Sequence, residues 1–276
     1  MKLRFWLLLI VASSTVYYFV FVPHLKAHSI RSESTHQTVQ SIPAATFMTM
    51  GRQIDAAIAT DPTVDVSVSC IDLGTGKAYD YGVSDVFEAA SVGKLVTAVD
   101  FMQQVQSGSA SLNDNLNGST AGYELQQLLV DSDNDAWLAF NDQLGNASLL
   151  QTAQRAGIND YDPNANTLTA ADVSNLLSRL FKRELLNDRN TDVLLGYMKE
   201  ANEADYIPAA VPKGVIVYHK AGLLDDRIHD AAIIDDSKRP YVLVIFTNGH
   251  GTYEDDQRTQ LMHEITKDTV EAFISN

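Results

Sequence analysis

The run "GVIVYHKAG" (Gly214–Gly222), followed by "IHDAAIID" (Ile228–Asp235) and "PYVLVIFTN" (Pro240–Asn248), gives three strand-like segments late in the chain. Two more lie far upstream: "TVDVSVSCIDL" (Thr63–Leu73) and "KAYDYGV" (Lys77–Val83), joined through "GTG", read as a hairpin. Between these groups, from Ala90 to Glu200, nearly everything has helical periodicity: "SVGKLVTAVDFMQQVQ", "YELQQLLV", "DAWLAFNDQL", "SLLQTAQRAG", "AADVSNLLSRLFKREL" and "TDVLLGYMKE". The breaks between them fall at Gly, Asn and Asp clusters. A helical pattern near Ala45 precedes the first strand, and an amphipathic helix from about Asp255 to Ile274 closes the chain. Strands at both ends enclosing a helical block predict an α+β fold, with one sheet built from distant segments and a helical insertion packed beside it.

The chain has 276 residues, 45% of them apolar, enough for one sizeable core or two tightly joined subdomains. Its 35 acidic and 20 basic residues give a net charge of −15, which leaves no footprint for phosphate neutralisation and argues against a nucleic-acid partner. One cysteine, Cys70, stands in an alternating strand and reads as a core thiol; alone it permits neither an internal disulfide nor a cysteine-rich metal site. At the N-terminus Lys2 and Arg4 precede an uncharged, mostly apolar run from Phe5 to Val22. As a helix that run would span about 27 Å, close to the hydrocarbon thickness. It reads as a signal peptide or an uncleaved anchor, and its length favours the anchor. The predicted organisation is a membrane anchor over 1–22, a polar linker over 23–44 and a globular domain over 45–276.

Three short strings carry chemistry. In "ASVGKLV" (Ala90–Val96), Ser91 and Lys94 share one helix face, so a lysine amine of lowered pKa could take the serine proton. Alone this string is weak, since about one Ser-x-x-Lys is expected by chance in a chain of this length, and by itself it reads better as an N-capping serine with a solvated lysine. Ser132-Asp133-Asn134, inside "VDSDNDAWLAFND" (Val130–Asp142), is rarer. Its aspartates suggest a calcium loop, but Ala136 stands where the sharp turn needs glycine and Asp142 where a bidentate glutamate should close the loop. The plainer alternative is a capped helix start. The third string, Lys220-Ala221-Gly222, ends a predicted strand, where the ammonium can project into a cleft and glycine permits close backbone approach.

Taken together, Ser91-x-x-Lys94, Ser132-Asp133-Asn134 and Lys220-x-Gly222, in that order and on those elements, resemble the signature motifs of class A β-lactamases and penicillin-binding proteins. The resemblance runs from about Ala45 to Asn276 and includes "IDLGTGKAYDYG" (Ile71–Gly82) and the final strands. It implies an antiparallel sheet of N- and C-terminal strands flanked by helices, with an all-helical subdomain inserted. It also implies an active-site-serine hydrolase acting on β-lactam or D-alanyl amides, with no cofactor and no metal. Ser91 would be the nucleophile, Lys94 its general base, Ser132 the proton relay, and Lys220 the group that supports the relay and attracts a substrate carboxylate. Asn134 would hold a substrate amide, and Gly222 and Leu223 would border the oxyanion, which the backbone N–H groups of Ser91 and Leu223 would receive. The implied partner is a β-lactam or a peptidoglycan stem peptide, met outside the cytoplasm by a secreted or membrane-anchored enzyme.

The sequence departs from that pattern at two places. Ala221 replaces the family's usual Thr or Ser, removing a hydrogen bond to a substrate carboxylate that is worth about 1.5–3 kcal/mol. The region "GINDYDPNANTLTAADV" (Gly157–Val173) is short and has no glutamate to activate a deacylating water. Asp162-Pro163…Asn166 echoes the family's Glu-Pro-x-x-Asn string, so Asp162 is the candidate deacylation group, although Asp, Pro and Asn also favour turns for their own reasons. Slow release of the acyl group is therefore expected. The alternatives are a D,D-peptidase or esterase with poor β-lactam affinity, or a noncatalytic wall-binding domain of the same fold. His219 and His229 read as local packing groups, Asp225, Asp226 and Asp230 as solvated loop charges, Trp137 as core, and His263-Glu264 as a helix-surface pair.

Overall fold

The computed structural model describes residues 42–252 and 255–274. The predicted anchor over 1–22, and the linker over 23–44 except its last three residues, lie outside the described residues. Among the described residues no helix is long and apolar enough to cross a membrane.

In chain order the elements are α1 (Ala44–Ile58), β1 (Asp65–Asp72), β2 (Ala78–Gly82), β3 (Phe87–Glu88), a 3-10 turn (Ala90–Gly93), α2 (Lys94–Ser107), β4 (Asn115–Leu116), β5 (Ser119–Thr120), α3 (Ala121–Val130), α4 (Asn134–Leu144) and α5 (Asn146–Ala156). They continue as β6 (Thr167–Leu168), α6 (Ala170–Phe181), α7 (Asp188–Lys199), α8 (Ile207–Ala210), β7 (Ile216–Leu224), β8 (Arg227–Asp235), β9 (Tyr241–Asn248) and α9 (Asp255–Phe273). The α+β arrangement expected from the strand–helix–strand pattern is present. One antiparallel sheet has the order β2-β1-β9-β8-β7, so the C-terminal strand β9 lies between the early hairpin and the late one.

Alternation along β9 explains its central place. Tyr241, Leu243 and Ile245 pack with Met50 and Ile54 of α1 and with Met262 and Ile265 of α9. Val242, Val244 and Phe246 point the other way, into a core shared with α2, α6 and the helical block. A strand buried on both faces must be apolar throughout, and each such side chain contributes about 1.5–3 kcal/mol of burial. In β1 the same logic sends Val66, Val68 and Cys70 toward α1 and α9, while buried Ser69 faces α6 and shares a 2.8 Å hydrogen bond with Ser174. Burial pushes the Cys70 thiol well up, so it stays an inert core group.

Edge strand β7 meets β8 on one side only, which leaves its other side free to border a cleft. Short strands β3 and β6 pair with each other, Phe87 opposite Leu168 and Glu88 opposite Thr167, and so bind the loop before α6 to the segment before α2. That two-residue pairing has no period to announce it in the sequence. The helix over Ala170–Leu185 is also shorter than its pattern suggests, ending at Phe181.

Candidate active site

Ser91 sits on the 3-10 turn and not, as its spacing suggested, on the first turn of an α-helix. With about three residues per turn, a 3-10 helix eclipses positions i and i+3, so Lys94 lies directly over Ser91. Ala90 is held at φ +49°, a left-handed conformation that a residue with a side chain adopts at a cost. The loop before α6 supplies the restraint: Ala89 N–H donates to the Asn166 carbonyl at 2.7 Å, and Asn166 Nδ2 donates to the Ala90 carbonyl at 2.8 Å. A β-carbon at Gly93 would lie 2.0 Å from Asn166 Oδ1, so only glycine lets that amide reach the turn.

Lys94 is fully buried. Its ammonium donates to Ser91 Oγ at 3.1 Å, to the Ser132 carbonyl at 2.5 Å and to Asn134 Oδ1 at 2.7 Å, with Ser132 Oγ at 3.3 Å. Burial, followed by the charge of Lys220, brings its pKa down to about 8. At pH 7 roughly a tenth of the molecules then carry the neutral amine that can accept a proton. The Trp137 ring lies 5.6 Å from the same nitrogen, and its Nε1–H donates to Thr97 Oγ1 at 3.0 Å. Trp137 is thus half-buried in the site wall, a correction to its reading as core: the indole needs both an apolar face and a hydrogen-bond partner.

The string Ser132-Asp133-Asn134 forms the corner between α3 and α4. Asp133 caps α4, accepting from the Ala136 N–H at 2.7 Å, and its own N–H returns to the Gln127 carbonyl at 3.1 Å. Ser132 is left at φ +58°, with its carbonyl and hydroxyl both turned to the lysines. Its Oγ stands 2.9 Å from the Lys220 ammonium. Lys220, only 1% exposed, also donates to the Ala221 carbonyl at 3.0 Å, and burial lowers its pKa. Two residues on, Gly222 presses against the nucleophile turn: a β-carbon there would lie 3.0 Å from the Ala89 carbonyl oxygen and from the Val92 nitrogen. Leu223 then lines the cleft together with Ser91.

That cleft, of about 430 Å³, is walled by Trp137, Leu138, Leu223 and Leu224, with Asn134 and Asn166 at its polar side. Ser91, Lys94, Ser132, Asn134, Lys220, Gly222 and Leu223 are therefore brought together. Asp162 is not among the cleft-lining residues: it is exposed, and its carboxylate accepts from the N–H groups of Asn164 at 2.8 Å and Ala165 at 3.4 Å, closing a turn. Among the described residues no group of His, Cys, Asp or Glu could hold a metal ion.

Asp226 and Asp230 correct their reading as solvated loop charges. Both are buried: Asp226 accepts from the Gly251 N–H and from Arg227, and Asp230 accepts from the Ile207 N–H at 3.1 Å and meets His219 Nδ1 at 3.2 Å. Burial alone would keep His219 neutral, but the Asp230 charge and hydrogen bond outweigh it and raise the pKa. His229 is neutral instead. Its Nε2–H donates to the Glu88 carbonyl at 3.0 Å, its Nδ1 accepts from the Thr247 N–H at 3.1 Å, and burial brings its pKa down to about 4.

Two carboxylates near the site have no signal in the sequence. Glu88 lines the cleft and faces Arg227 at 3.4 Å, while Glu203 reaches within 3.8 Å of Lys220 from the segment between α7 and α8. Both are single residues in irregular or two-residue elements, where no spacing links them to a motif.

The family model described as "Beta-lactamase enzyme family" matches residues 49–273. The chain belongs to that family. No curated protein matches it. Among solved structures, this β-lactamase-family chain is similar to a PBP-A variant solved as an acyl-enzyme complex with penicillin G, at 23% identity and a TM-score of 0.76 over 83% of this chain and 97% of that one. It is similar to an ancestral class A β-lactamase (GNCA), at 19% identity and a TM-score of 0.74 over 81% of this chain and 100% of the other. A β-lactamase from Burkholderia vietnamiensis gives 20% identity and a TM-score of 0.72 over 80% and 95% of the two chains. The chain is a serine hydrolase with the β-lactamase-like fold, and acyl transfer through a serine is its chemistry.

Proposed function

We propose that Ser91 attacks the carbonyl of a β-lactam or D-alanyl amide, forms an ester with the acyl group and releases it slowly to water. The observation that carries this reading is the buried Lys94 amine, 3.1 Å from Ser91 Oγ and with its pKa near 8. As the Ser91 Oγ–carbon bond forms, the hydroxyl proton passes to neutral Lys94. When the carbon–nitrogen bond breaks, the leaving nitrogen takes the Ser132 hydroxyl proton, and the Lys94 ammonium restores it across 3.3 Å. The Lys220 charge, 2.9 Å from Ser132 Oγ, eases that donation. The Ser91 and Leu223 N–H groups receive the developing oxyanion, a contribution of about 2.7–4 kcal/mol where one such donor is removed in related chemistry. Asn134 positions the acyl side-chain amide.

Slow release rests on the loop over Gly157–Val173, which has no glutamate and whose Asp162 carboxylate is occupied in its own turn. The penicillin G acyl-enzyme of the similar PBP-A variant supports a β-lactam as acyl donor. An extracytoplasmic setting, with the Phe5–Val22 run as anchor, belongs to the same reading. Rapid-mixing kinetics with a chromogenic cephalosporin test it: a stoichiometric burst followed by slow turnover is expected, and linear fast turnover without a burst contradicts slow release.

Ala221 favours a second reading, an esterase with poor β-lactam affinity over a D,D-peptidase, because its methyl offers no hydrogen bond to a substrate carboxylate and a D-alanyl-D-alanine peptide carries one at its C-terminus. Parallel assays with a D-alanyl-D-alanine peptide and a small ester separate the two.

A further inference from the structure

The Lys220 ammonium has three N–H donors. Two meet neutral acceptors, Ser132 Oγ at 2.9 Å and the Ala221 carbonyl at 3.0 Å, and the nearest carboxylate is Glu203 Oε2 at 3.8 Å. The chain around Glu203 is tied to the site through its backbone. Glu203 itself is held at φ +63°, in the region that favours glycine. The two residues before it are fastened on opposite sides of the site. Asn202 donates from its backbone to the Val130 carbonyl at 3.0 Å and from its side chain to Asp131 Oδ1 at 2.7 Å, immediately before Ser132. The Ala201 carbonyl accepts from His219 Nε2 at 3.4 Å, immediately before Lys220, and the His219–Asp230 pair holds that ring. The backbone leading to Glu203 is thereby held between the Ser132 corner and the Lys220 strand, and the side chain, 35% exposed, reaches toward the Lys220 ammonium.

From this arrangement we infer that Glu203 is a specificity-determining residue that occupies the anion-accepting side of Lys220, so that the site takes acyl donors whose leaving-group side carries no carboxylate: neutral esters and amides. This rests on the acyl-transfer reading above and narrows its substrate. A carboxylate approaching Lys220 would meet the negative charge of Glu203 in place of an open cation, and the buried Ala221 offers it no hydroxyl. Arg227, at the end of the β7–β8 hairpin, offers no substitute, since it is engaged by Asp226 at 3.0 Å and Glu88 at 3.4 Å. The cleft walls next to Ser91, formed by Trp137, Leu138, Leu223 and Leu224, suit an apolar, uncharged ligand. Lys220 then serves chiefly to poise Ser132.

The test compares acylation of Ser91 by penicillin G and by its methyl ester, followed by intact-protein mass spectrometry, in the native protein and in Glu203→Gln and Glu203→Ala. Acylation efficiency should favour the methyl ester by about tenfold or more in the native protein, and both substitutions should shift the ester-to-acid ratio toward the acid by about tenfold or more. The ratio is read in variants that keep the native melting temperature, so that damage to the fold, which lowers both rates together, does not enter it. A native preference for the acid, or a ratio unchanged by both substitutions while Ser91 is still acylated, overturns this inference and leaves the acyl-transfer reading standing. Absence of any Ser91 adduct with either compound, in folded protein, overturns both.

Discussion

Gly222 and Val92 pack so closely that a β-carbon on the glycine would lie 3.0 Å from both the backbone nitrogen and Cγ2 of the valine. This contact sets the distance between edge strand β7 and the nucleophile turn, and so the place of Leu223 relative to Ser91. Gly222→Ala must push the strand outward or distort the turn. The expected cost is about 1–3 kcal/mol of stability from overpacking. A shift of a few tenths of an ångström between Leu223 and Ser91 would also lower acylation, by less than the roughly hundredfold that a 1 Å misplacement costs. Thermal melts and acylation rates measured on the same preparation check both effects, and a variant with native acylation rates would show that this contact does not set the site.

Acylation should depend on pH through Lys94. Burial and the Lys220 charge lower the pKa of Lys94 to about 8, and only its neutral form accepts the Ser91 proton. The second-order acylation rate should therefore rise with pH and level off above about 8. A flat profile from pH 6 to 9 would remove Lys94 from the role of base.

The two lysines are coupled, which makes Lys220→Ala informative beyond its loss of rate. Removing a positive charge that disfavours the Lys94 ammonium should move the rising limb of the pH profile upward, toward the ordinary lysine range. Weaker acylation with an unmoved limb would assign Lys220 to ligand contact alone.

His229 links the fold to pH. It is buried and neutral, with its pKa held at about 4, while the unfolded chain takes up the proton near 6.5. The unfolded state therefore binds more protons between these values. Stability from this group is full above about pH 6.5 and declines as pH falls toward 4, by about 3 kcal/mol in all. His219, whose pKa is raised, works in the opposite sense: its contribution is full below about pH 6.5 and fades as pH rises through its folded value. Urea unfolding at pH 7, 5.5 and 4 should show the acid loss, and His229→Gln should flatten it.

Asn166 should prove a structural tie as much as a cleft residue. Its side chain bonds the Ala90 carbonyl at 2.8 Å and holds Ala90 in a conformation it would not otherwise adopt. Asn166→Ala removes that bond, with an expected loss of about 0.5–1.5 kcal/mol and a larger proportional loss of acylation. Equal stability and equal activity would contradict the tie.

Much of this architecture is legible in the sequence because long, periodic elements announce themselves. The alternation of β1, the apolar run of β9 and the helices between them each satisfy a burial pattern that few other folds accommodate. Ser91, Lys94, Ser132 and Lys220 are legible through order and spacing. What the sequence hides is whatever depends on tertiary placement: the full burial of Lys94 and Asp230, Trp137 in the wall of the site, and Glu203 beside Lys220. A 3-10 turn in place of an α-helical one at Ser91 is equally silent, since both satisfy the same three-residue spacing.

Covalent labelling tests acylation of Ser91 most directly. Folded protein is exposed to penicillin G and to its methyl ester, quenched, digested and mapped by mass spectrometry, with Ser91→Ala in parallel. An acyl mass increment is expected on the peptide containing Ser91, persisting well beyond the time of its formation and absent from Ser91→Ala. Failure of both compounds to modify Ser91, or an increment that survives Ser91→Ala, would contradict it.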